Sequence, residues 1–142
     1  MWIRTFSKCY PGVTKEAAWH LWTDINHWAQ WHQDLECCTM EGPFEAGNHF
    51  LVKPKNVKQL KVVLKEVKKE QSFTDCTTFW GAKMYYTHSM ENTPEGLLVS
   101  SRIMVSGPLT WFWVKRVVQA VADSVPGDMD TLAEKAKQMS RC

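Results

Sequence analysis

Residues 107–142, with the sequence GPLTWFWVKRVVQAVADSVPGDMDTLAEKAKQMSRC, decide the fold. Their apolar side chains recur at steps of three and four residues, which is the spacing of a single helix face. The members of this face are Trp111, Val114, Val118, Val121, Val125, Met129, Leu132, Ala136 and Met139. About thirty helical residues at a rise of ~1.5 Å give a rod of roughly 45–50 Å. In a chain of 142 residues, a helix of this length predicts a large surface on which it lies.

Two prolines mark this helix. Pro108 follows Gly107 and falls in the first turn, where the missing N–H costs nothing. Pro126 precedes Gly127 and Asp128 and interrupts the periodic face, so we expect a kink or a fresh start of the helix there.

The chain before Gly107 predicts mostly strands and tight turns. Segments rich in β-branched and aromatic residues alternate with Pro, Gly and Asn clusters. These segments are 2–10, 35–41, 47–53, 58–67, 73–80, 83–92 and 97–106. Their near-regular spacing indicates antiparallel pairing of neighbours along the chain.

Two short helices interrupt the strands after residue 10. Thr14 is a good N-cap for a helix over 15–22, and Asp24 ends that helix. Either Asp24 or Asn26 caps a second helix over 27–31. The two helices predict a V-shaped insert between the first and second strands.

Composition limits the function classes. The 142 residues predict one domain, residues 1–142, and the net charge is only +2. No Lys/Arg block is interleaved with aromatic residues, so nucleic-acid binding is not predicted. The lysines of residues 53–69 alternate with Val and Leu, which favours the wet face of a strand. No apolar run reaches the ~18–20 residues that span a bilayer, and the start lacks a signal-peptide pattern. We therefore expect no stable membrane insertion and a cytoplasmic protein.

Cysteines and histidines give no sign of a metal or a redox centre. The five cysteines, Cys9, Cys37, Cys38, Cys76 and Cys142, include no CxxC, and reduced thiols are expected. Cys37 and Cys38 are adjacent, so in a strand they point to opposite faces. His20, His27 and His32 are seven and five residues apart, which is not the spacing of metal ligands on one helix face. We predict no metal and no cofactor.

Three motifs together carry a resemblance to a known family. Residues 18–24 (AWHLWTD), followed by Trp28 and Trp31, are similar to the family pattern "vW.l.tD...w..W". Residues 41–50 (EGPFEAGNHF) are similar to the hairpin "Gpf..G..f", and residues 105–109 (VSGPL) are similar to "v.Gpl". On these motifs the chain resembles the SRPBCC superfamily, the START and Bet v 1-like group, and most closely its small polyketide cyclase/dehydrase-like members.

The resemblance covers nearly the whole chain and implies an α+β helix-grip fold. In this fold a bent antiparallel sheet, with two short helices after the first strand, wraps around a long C-terminal helix. A deep pocket lies between the sheet and the helix. Fold alone does not define the function, because this architecture serves carriers, enzymes and sensors.

Strand alternation predicts which side chains face the pocket. In 84–90 the more apolar set is Met84, Tyr86, His88 and Met90, and in 97–105 it is Leu97, Val99, Ser101, Ile103 and Val105. Choosing these sets as the inward faces sends Arg102 to solvent. In 73–80 the two faces are nearly equal, so either the set with Phe73 and Asp75 or the set with Thr74 and Trp80 points inward.

The predicted pocket residues are Trp28, Trp31, Met84, Tyr86, His88, Met90, Ser101, Ile103 and Trp111. His88 is a polar group among apolar neighbours, so it either binds a ligand carbonyl, acts as an acid or base, or bonds to a neighbouring strand. Tyr86 either adds a hydroxyl or simply packs. Trp28 and Trp31 share a helix face and either form a wall at the pocket mouth or pin the insert to the sheet. Trp111 carries the same ambiguity at the start of the long helix.

These residues support three function hypotheses. The first is binding of a hydrophobic small molecule, such as a lipid, quinone, fatty acid or aromatic or polyketide metabolite, in a deep pocket between the sheet and the C-terminal helix. This hypothesis fails if that pocket is too small for about ten heavy atoms. The second is a polyketide cyclase/dehydratase-type enzyme that uses His88 and Tyr86, with Asp75 as a further candidate, for acid–base chemistry. The third is a protein-interaction module with a closed pocket. No nucleophile elbow, phosphate loop or paired carboxylate motif decides whether the chain is an enzyme, and its oligomeric state is open between monomer and homodimer.

Overall fold

The structure is a computed structural model that describes residues 1–31, 35–55 and 58–140, with the side chains of residues 139 and 140 excepted. Three residues named in the sequence analysis therefore lie outside the described part: His32, the side chain of Met139, and Cys142.

Seven strands and a long C-terminal helix follow one another in the predicted order. The elements are β1 (Trp2–Tyr10), α1 (Lys15–Thr23), a 3-10 helix (Ile25–Gln30), β2 (Leu35–Thr39), β3 (His49–Pro54), β4 (Leu60–Lys68), β5 (Ser72–Phe79), β6 (Ala82–Thr93), β7 (Gly96–Ser106), α2 (Thr110–Trp113), a π turn (Val114–Val118) and α3 (Gln119–Ser140). We call the last three together the C-terminal helix. The predicted strands differ from the observed ones by at most two residues at each end.

All seven strands form one antiparallel sheet in the order β1-β7-β6-β5-β4-β3-β2. Strands β2 to β7 pair with their neighbours along the chain, as predicted, and β1 is an edge strand that pairs with β7. Irregular registers bend the sheet at two places, between Leu35 and Cys37 in β2 and between Leu64 and Glu66 in β4.

The predicted insert of two short helices is confirmed. The Thr14 hydroxyl caps α1 by accepting a hydrogen bond of 3.2 Å from the Ala17 N–H, and Asp24 follows its last residue. The Trp28 indole N–H donates to the carbonyls of Leu21 and Trp22 at 3.1 Å, which fixes the 3-10 helix to the end of α1.

An aromatic cluster holds the insert on the sheet. Phe73 of β5 is completely buried, and its ring contacts Trp19, Trp22, Trp28 and Phe44 at centroid distances from 5.1 to 6.5 Å. Each such pair contributes about 0.5–1.5 kcal/mol beyond its area burial. Phe73 is therefore the centre of the contact between the helices and the sheet.

The C-terminal helix lies on the sheet with most of its predicted face buried. Val114, Val118, Val125, Met129, Leu132 and Ala136 are buried, and Val121 is half-buried. The prediction for Trp111 is wrong, because its side chain is 63% exposed. Thr110 and Val114 occupy the buried side of the first turn, which leaves Trp111 and Phe112 on the outer side.

The C-terminal helix continues through Pro126. Pro126 lies inside α3, so the predicted fresh start there is wrong, while the alternative, a kink at Pro126, stays a prediction. The helix widens into a π turn at Val114–Val118, where Val117 and Val118 are both buried against the sheet. A π turn adds one residue to a helical turn, and the two neighbouring valines can therefore face the same side.

Replacing glycine by alanine should have opposite effects on the free energy of unfolding at two positions of this region. At Gly107 φ is +122° and an added Cβ would lie 2.6 Å from the Gly81 carbonyl oxygen, whereas at Gly127 an added Cβ meets nothing within 4 Å. We expect Gly107→Ala to lower the free energy of unfolding by about 1–3 kcal/mol and Gly127→Ala to raise it by about 0.5–1 kcal/mol. Urea unfolding of the two variants measures both, and a stable Gly107→Ala protein would contradict the described turn.

Candidate functional site

The inward face of β5 is the one that carries Phe73. Phe73, Asp75, Thr77 and Phe79 are all buried, whereas Trp80 just after the strand is 82% exposed. This settles the choice that the sequence leaves open. It also places a carboxyl group, Asp75, on the concave side of the sheet.

Strand pairing brings the polar side chains of β5 and β6 together. Phe73 is paired with His88, and Asp75 is paired with Tyr86. The Tyr86 and His88 rings are stacked at 3.9 Å, and the Phe73 ring stacks on the other side of His88 at 4.2 Å. Three rings thus form a continuous stack beside the Asp75 carboxyl.

The predicted inward faces of β6 and β7 are confirmed. Met84, Tyr86 and His88 line the space between the sheet and the C-terminal helix. The β7 set that contains Ser101 and Ile103 is buried throughout, while Arg102 is exposed.

A cavity of about 90 Å³ lies between the sheet and the C-terminal helix. Most of its wall is apolar and comes from β3, β4 and the helix, and includes Phe50, Val52, Val62, Val117 and Val121. Its polar lining groups are Asp75, Thr77, Tyr86, His88 and Asp128. An apolar space with a few convergent polar groups is the usual form of a small-molecule site.

The cavity is small for the ligands that the sequence suggests. A dry cavity of about 150 Å³ binds one benzene ring, so about 90 Å³ encloses fewer heavy atoms than that ring has. The ten-atom condition for a ligand enclosed in a deep pocket is therefore not met by this cavity. A lipid or a quinone cannot be enclosed in this space as it stands. Among the apolar lining residues only Leu35, Leu60 and Val121 are half-buried, and we infer from this that the cavity meets solvent on their side.

Two further cavities continue this space beneath the helix. A cavity of about 20 Å³ adjoins the first at Tyr86 and His88 and reaches Ser101. A third, of about 190 Å³, lies between β1, β7 and α3 and is lined by Ser101, Ile103 and Pro126. Ser101 and Ile103, predicted for one pocket, therefore face the second and third cavities rather than the first.

Burial gives Asp75 an unusual acidity. Desolvation raises the pKa of its carboxyl from 3.8 to about 8, because a buried charge loses the hydration that stabilises it in water. At neutral pH Asp75 is therefore mostly a neutral acid, which can donate a hydrogen bond into the cavity. Titratable groups with strongly shifted pKa values are typical of functional sites.

The other predicted pocket residues are divided between the cavities, the core and the surface. Trp28 lines the first two cavities, and Trp31 lines the second. Both indoles are buried, and Trp28 packs on Phe50 at 5.3 Å. Met90 is buried in the core at the far end of β6. Trp111 lies on the surface, outside the set that lines these cavities.

Two polar residues of the site, Thr77 and Asp128, are not among the predicted site residues. Asp128 lines the first two cavities from α3, and one of its carboxylate oxygens accepts a hydrogen bond of 3.2 Å from the Ser124 hydroxyl. Its position after Pro126-Gly127 suggested only a helix start. The signal that could have found it is its spacing from Val121 and Val125, seven and three residues earlier on the same helix face.

Residues 1–31, 35–55 and 58–140 contain no group of three or more His, Cys, Asp or Glu side chains placed to hold a metal ion. Within the same ranges no helix is long and apolar enough to cross a membrane.

The fold is shared with several solved structures, although the sequence matches no protein-family model and no curated protein. Protein NE0264 from Nitrosomonas europaea has a TM-score of 0.75 at 12% identity over 99% of this chain and 97% of its own. The di-domain ARO/CYC StfQ from the steffimycin biosynthetic pathway has a TM-score of 0.78 at 9% identity, over 99% of this chain and 52% of its own. Ara h 8.0201 has a TM-score of 0.68 at 13% identity, over 95% and 98%.

These similarities confirm the predicted fold. The bent seven-stranded antiparallel sheet with its long C-terminal helix is the helix-grip fold of Bet v 1-like and polyketide cyclase-like proteins. At identities of 9–13% the likeness is one of fold, and the function has to be argued from the cavity.

The shifted pKa of Asp75 predicts how stability depends on pH. The folded protein holds this proton up to about pH 8, whereas the unfolded chain releases it near 3.8. Because the folded state binds more protons between these values, stability is highest at the lower one and falls as the pH rises, by up to about 1.4 kcal/mol per pH unit. Urea unfolding of the Asp75→Asn protein, whose amide does not titrate, should lack this fall. An equal slope in both proteins would contradict the burial of Asp75.

Proposed function

We propose that the protein binds the polar end of a small, mainly apolar molecule in the first cavity, with Asp75 as hydrogen-bond donor. The observation that carries the proposal is a buried acid with a pKa of about 8 in an otherwise largely apolar space. An ionised carboxylate can only accept hydrogen bonds, whereas a neutral acid also donates one. The matching ligand group is therefore an acceptor such as the carbonyl oxygen of a ketone, an ester or a quinone.

The size of the cavity limits how such a ligand is placed. About 90 Å³ takes a carbonyl group and a few adjoining carbon atoms. The remaining apolar part of the ligand lies in the open side, among Leu35, Leu60 and Val121, or spreads into the neighbouring cavities when side chains move. A binder of this kind holds the polar head of its ligand and covers only part of the apolar body.

The stacked rings support the proposal by fixing the walls of the cavity. His88 lies between the Phe73 and Tyr86 rings, so its orientation is set by packing before any ligand arrives. A preorganised wall lowers the cost of ordering side chains on binding. StfQ, an ARO/CYC of a biosynthetic pathway, shares this fold, which agrees with a cavity for a small organic molecule.

A second candidate is an enzyme that acts on a carbonyl compound. It is favoured by the position of Asp75 directly opposite Tyr86, next to His88, in one cavity. In an enolisation, Asp75 would donate a hydrogen bond to the carbonyl oxygen while a neutral His88 takes the proton from the neighbouring carbon. The third hypothesis, an interaction module with a closed pocket, has less support because the first cavity is open on one side.

The binding proposal is tested with two probes of equal heavy-atom count. Acetophenone has a carbonyl oxygen where α-methylstyrene has a methylene carbon. Since a neutral hydrogen bond contributes about 0.5–1.5 kcal/mol, we expect acetophenone to bind roughly three- to tenfold more tightly in NMR titrations. Asp75→Leu should remove this preference, and Asp75→Asn, which keeps an N–H donor, should retain it.

The same titrations at higher pH add a second criterion. As the pH passes the Asp75 pKa of about 8, the donor is lost and the preference for acetophenone should disappear in the wild type but not in Asp75→Asn. Equal binding of the two probes by the wild type at neutral pH would contradict the proposal.

Deuterium exchange separates the enzyme from the binder. An enolising enzyme accelerates the exchange of the acetophenone methyl protons with D₂O, and His88→Ala should slow that exchange by about 10²-fold or more, as expected for loss of a general base. A protein that binds acetophenone without accelerating exchange is a binder, and the enzyme candidate is then wrong.

A further inference from the structure

Five large apolar side chains are exposed among the residues that the structure describes. They are Met1 (78%), Ile3 (44%), Trp80 (82%), Trp111 (63%) and Phe112 (52%). Single exposed apolar residues are ordinary, but a group of them indicates a contact surface. The fold brings these five to the same end of the molecule.

The strand register shows why they meet. Trp2 at the start of β1 pairs with Val105 at the end of β7, and Val105 pairs with Met84 at the start of β6. Trp80 and Gly81 form the turn that precedes β6, and the Leu109 N–H at the start of the C-terminal helix donates to the Gly81 carbonyl at 2.9 Å. We call the set Met1, Ile3, Trp80, Trp111 and Phe112 the aromatic end.

A hydrogen bond and ring contacts hold the aromatic end in place. The Trp113 indole N–H donates to the Trp80 carbonyl at 2.7 Å, and the Trp113 ring stacks on Phe79 at 4.6 Å. Phe112 packs edge-on against Trp113 at 5.1 Å. Trp113 and Phe79 therefore fix the positions of Trp80 and Phe112, whose side chains protrude into solvent.

Exposed cations surround the aromatic end. Lys83 lies at the start of β6, and Lys115 and Arg116 lie in the π turn. Lys55 directly follows β3 and Lys58 lies two residues before β4, near the end of the sheet where Leu60 begins β4. The ion pairs found among the described residues include none of these five cations. The surface is thus apolar and aromatic at its centre and positive around it.

We propose that the aromatic end docks the protein on the surface of an anionic lipid bilayer. Tryptophan side chains favour the boundary between headgroups and acyl chains, and lysine and arginine near that boundary are attracted by anionic headgroups. The aromatic side chains insert at the interface while the cations contact the headgroups. The docking is peripheral and adds no membrane-spanning segment.

A bilayer fits this surface better than a second copy of the chain. A two-fold symmetric dimer through this end would bring the cations Lys83, Lys115 and Arg116 of both copies into one interface, where like charges repel. The exposed aromatic side chains also protrude from a turn and a helix start rather than line a groove, and a fluid interface accommodates protruding rings without a matching pocket.

The docked orientation has a consequence for the first cavity. Leu35 and Leu60, on its open side, begin β2 and β4 and lie at the same end of the sheet as Trp80. A docked protein would present this opening towards the bilayer, where an apolar ligand resides. This consequence rests on the proposed function, whereas docking itself does not.

Vesicle co-sedimentation tests the proposal. We expect the wild type to sediment with vesicles of phosphatidylcholine and phosphatidylserine and much less with phosphatidylcholine alone. Combined Lys115→Gln and Arg116→Gln should weaken binding roughly 25-fold, at about fivefold for each cation, whereas Lys65→Gln with Lys69→Gln, exposed cations away from this end, should change it little. Trp80→Ser with Trp111→Ser should abolish sedimentation, and unchanged urea unfolding shows that these variants are folded.

Two outcomes would overturn the proposal. One is equal sedimentation with charged and neutral vesicles. The other is a wild type that does not sediment with vesicles and forms a dimer in solution, where the double variant Trp80→Ser with Trp111→Ser is a monomer. The aromatic end would then bind a second copy of the chain. Acetophenone binding is measured without vesicles, so a failure of docking and a failure of the proposed function are distinguished.

Discussion

The position of Phe73 is the constraint on which the site depends. Its ring is fully buried at the centre of the aromatic cluster formed with Trp19, Trp22 and Trp28. Side chains alternate along a strand, so burying Phe73 also turns Asp75 inward. A shift of one residue would expose Phe73 and forfeit about 1.5–3 kcal/mol of apolar burial, together with its ring contacts. The contact between the insert and β5 thereby places a carboxyl group in the cavity.

The chemistry of the cavity follows from that placement. The Asp75 carboxyl lies in an apolar space, and burial raises its pKa to about 8. The π turn of the C-terminal helix presents Val117 to the same space, so the helix covers the acid with hydrocarbon. The stacked Tyr86 and His88 rings complete the wall beside it. One strand register thus produces both the donor and the low-polarity surroundings that keep it protonated.

Much of the fold and part of the site could be predicted from the sequence. Helical and strand periodicities record which faces are buried, so the element order and the inward position of His88 follow from them. The face of β5 could not be assigned, because each face mixes polar groups with at least one large ring, and the aromatic insert that decides between them is a tertiary contact. The wrong prediction for Trp111 has a similar origin. A constant helical period does not reveal a π turn, which shifts the buried face by one residue. It also does not show that the first turn of the helix, with Trp111, extends past the sheet.

Measuring the protonation state of Asp75 tests most directly whether it is a hydrogen-bond donor at neutral pH. Carbon-13 NMR of selectively labelled aspartate, with Asp75→Asn used to assign the signal, follows the Asp75 carboxyl through its titration. We expect a midpoint near 8 and a further rise when acetophenone is bound, because the ligand accepts a hydrogen bond only from the neutral acid. A midpoint near the ordinary value of 3.8 would contradict it, since Asp75 would then be ionised at neutral pH and unable to donate to a ligand.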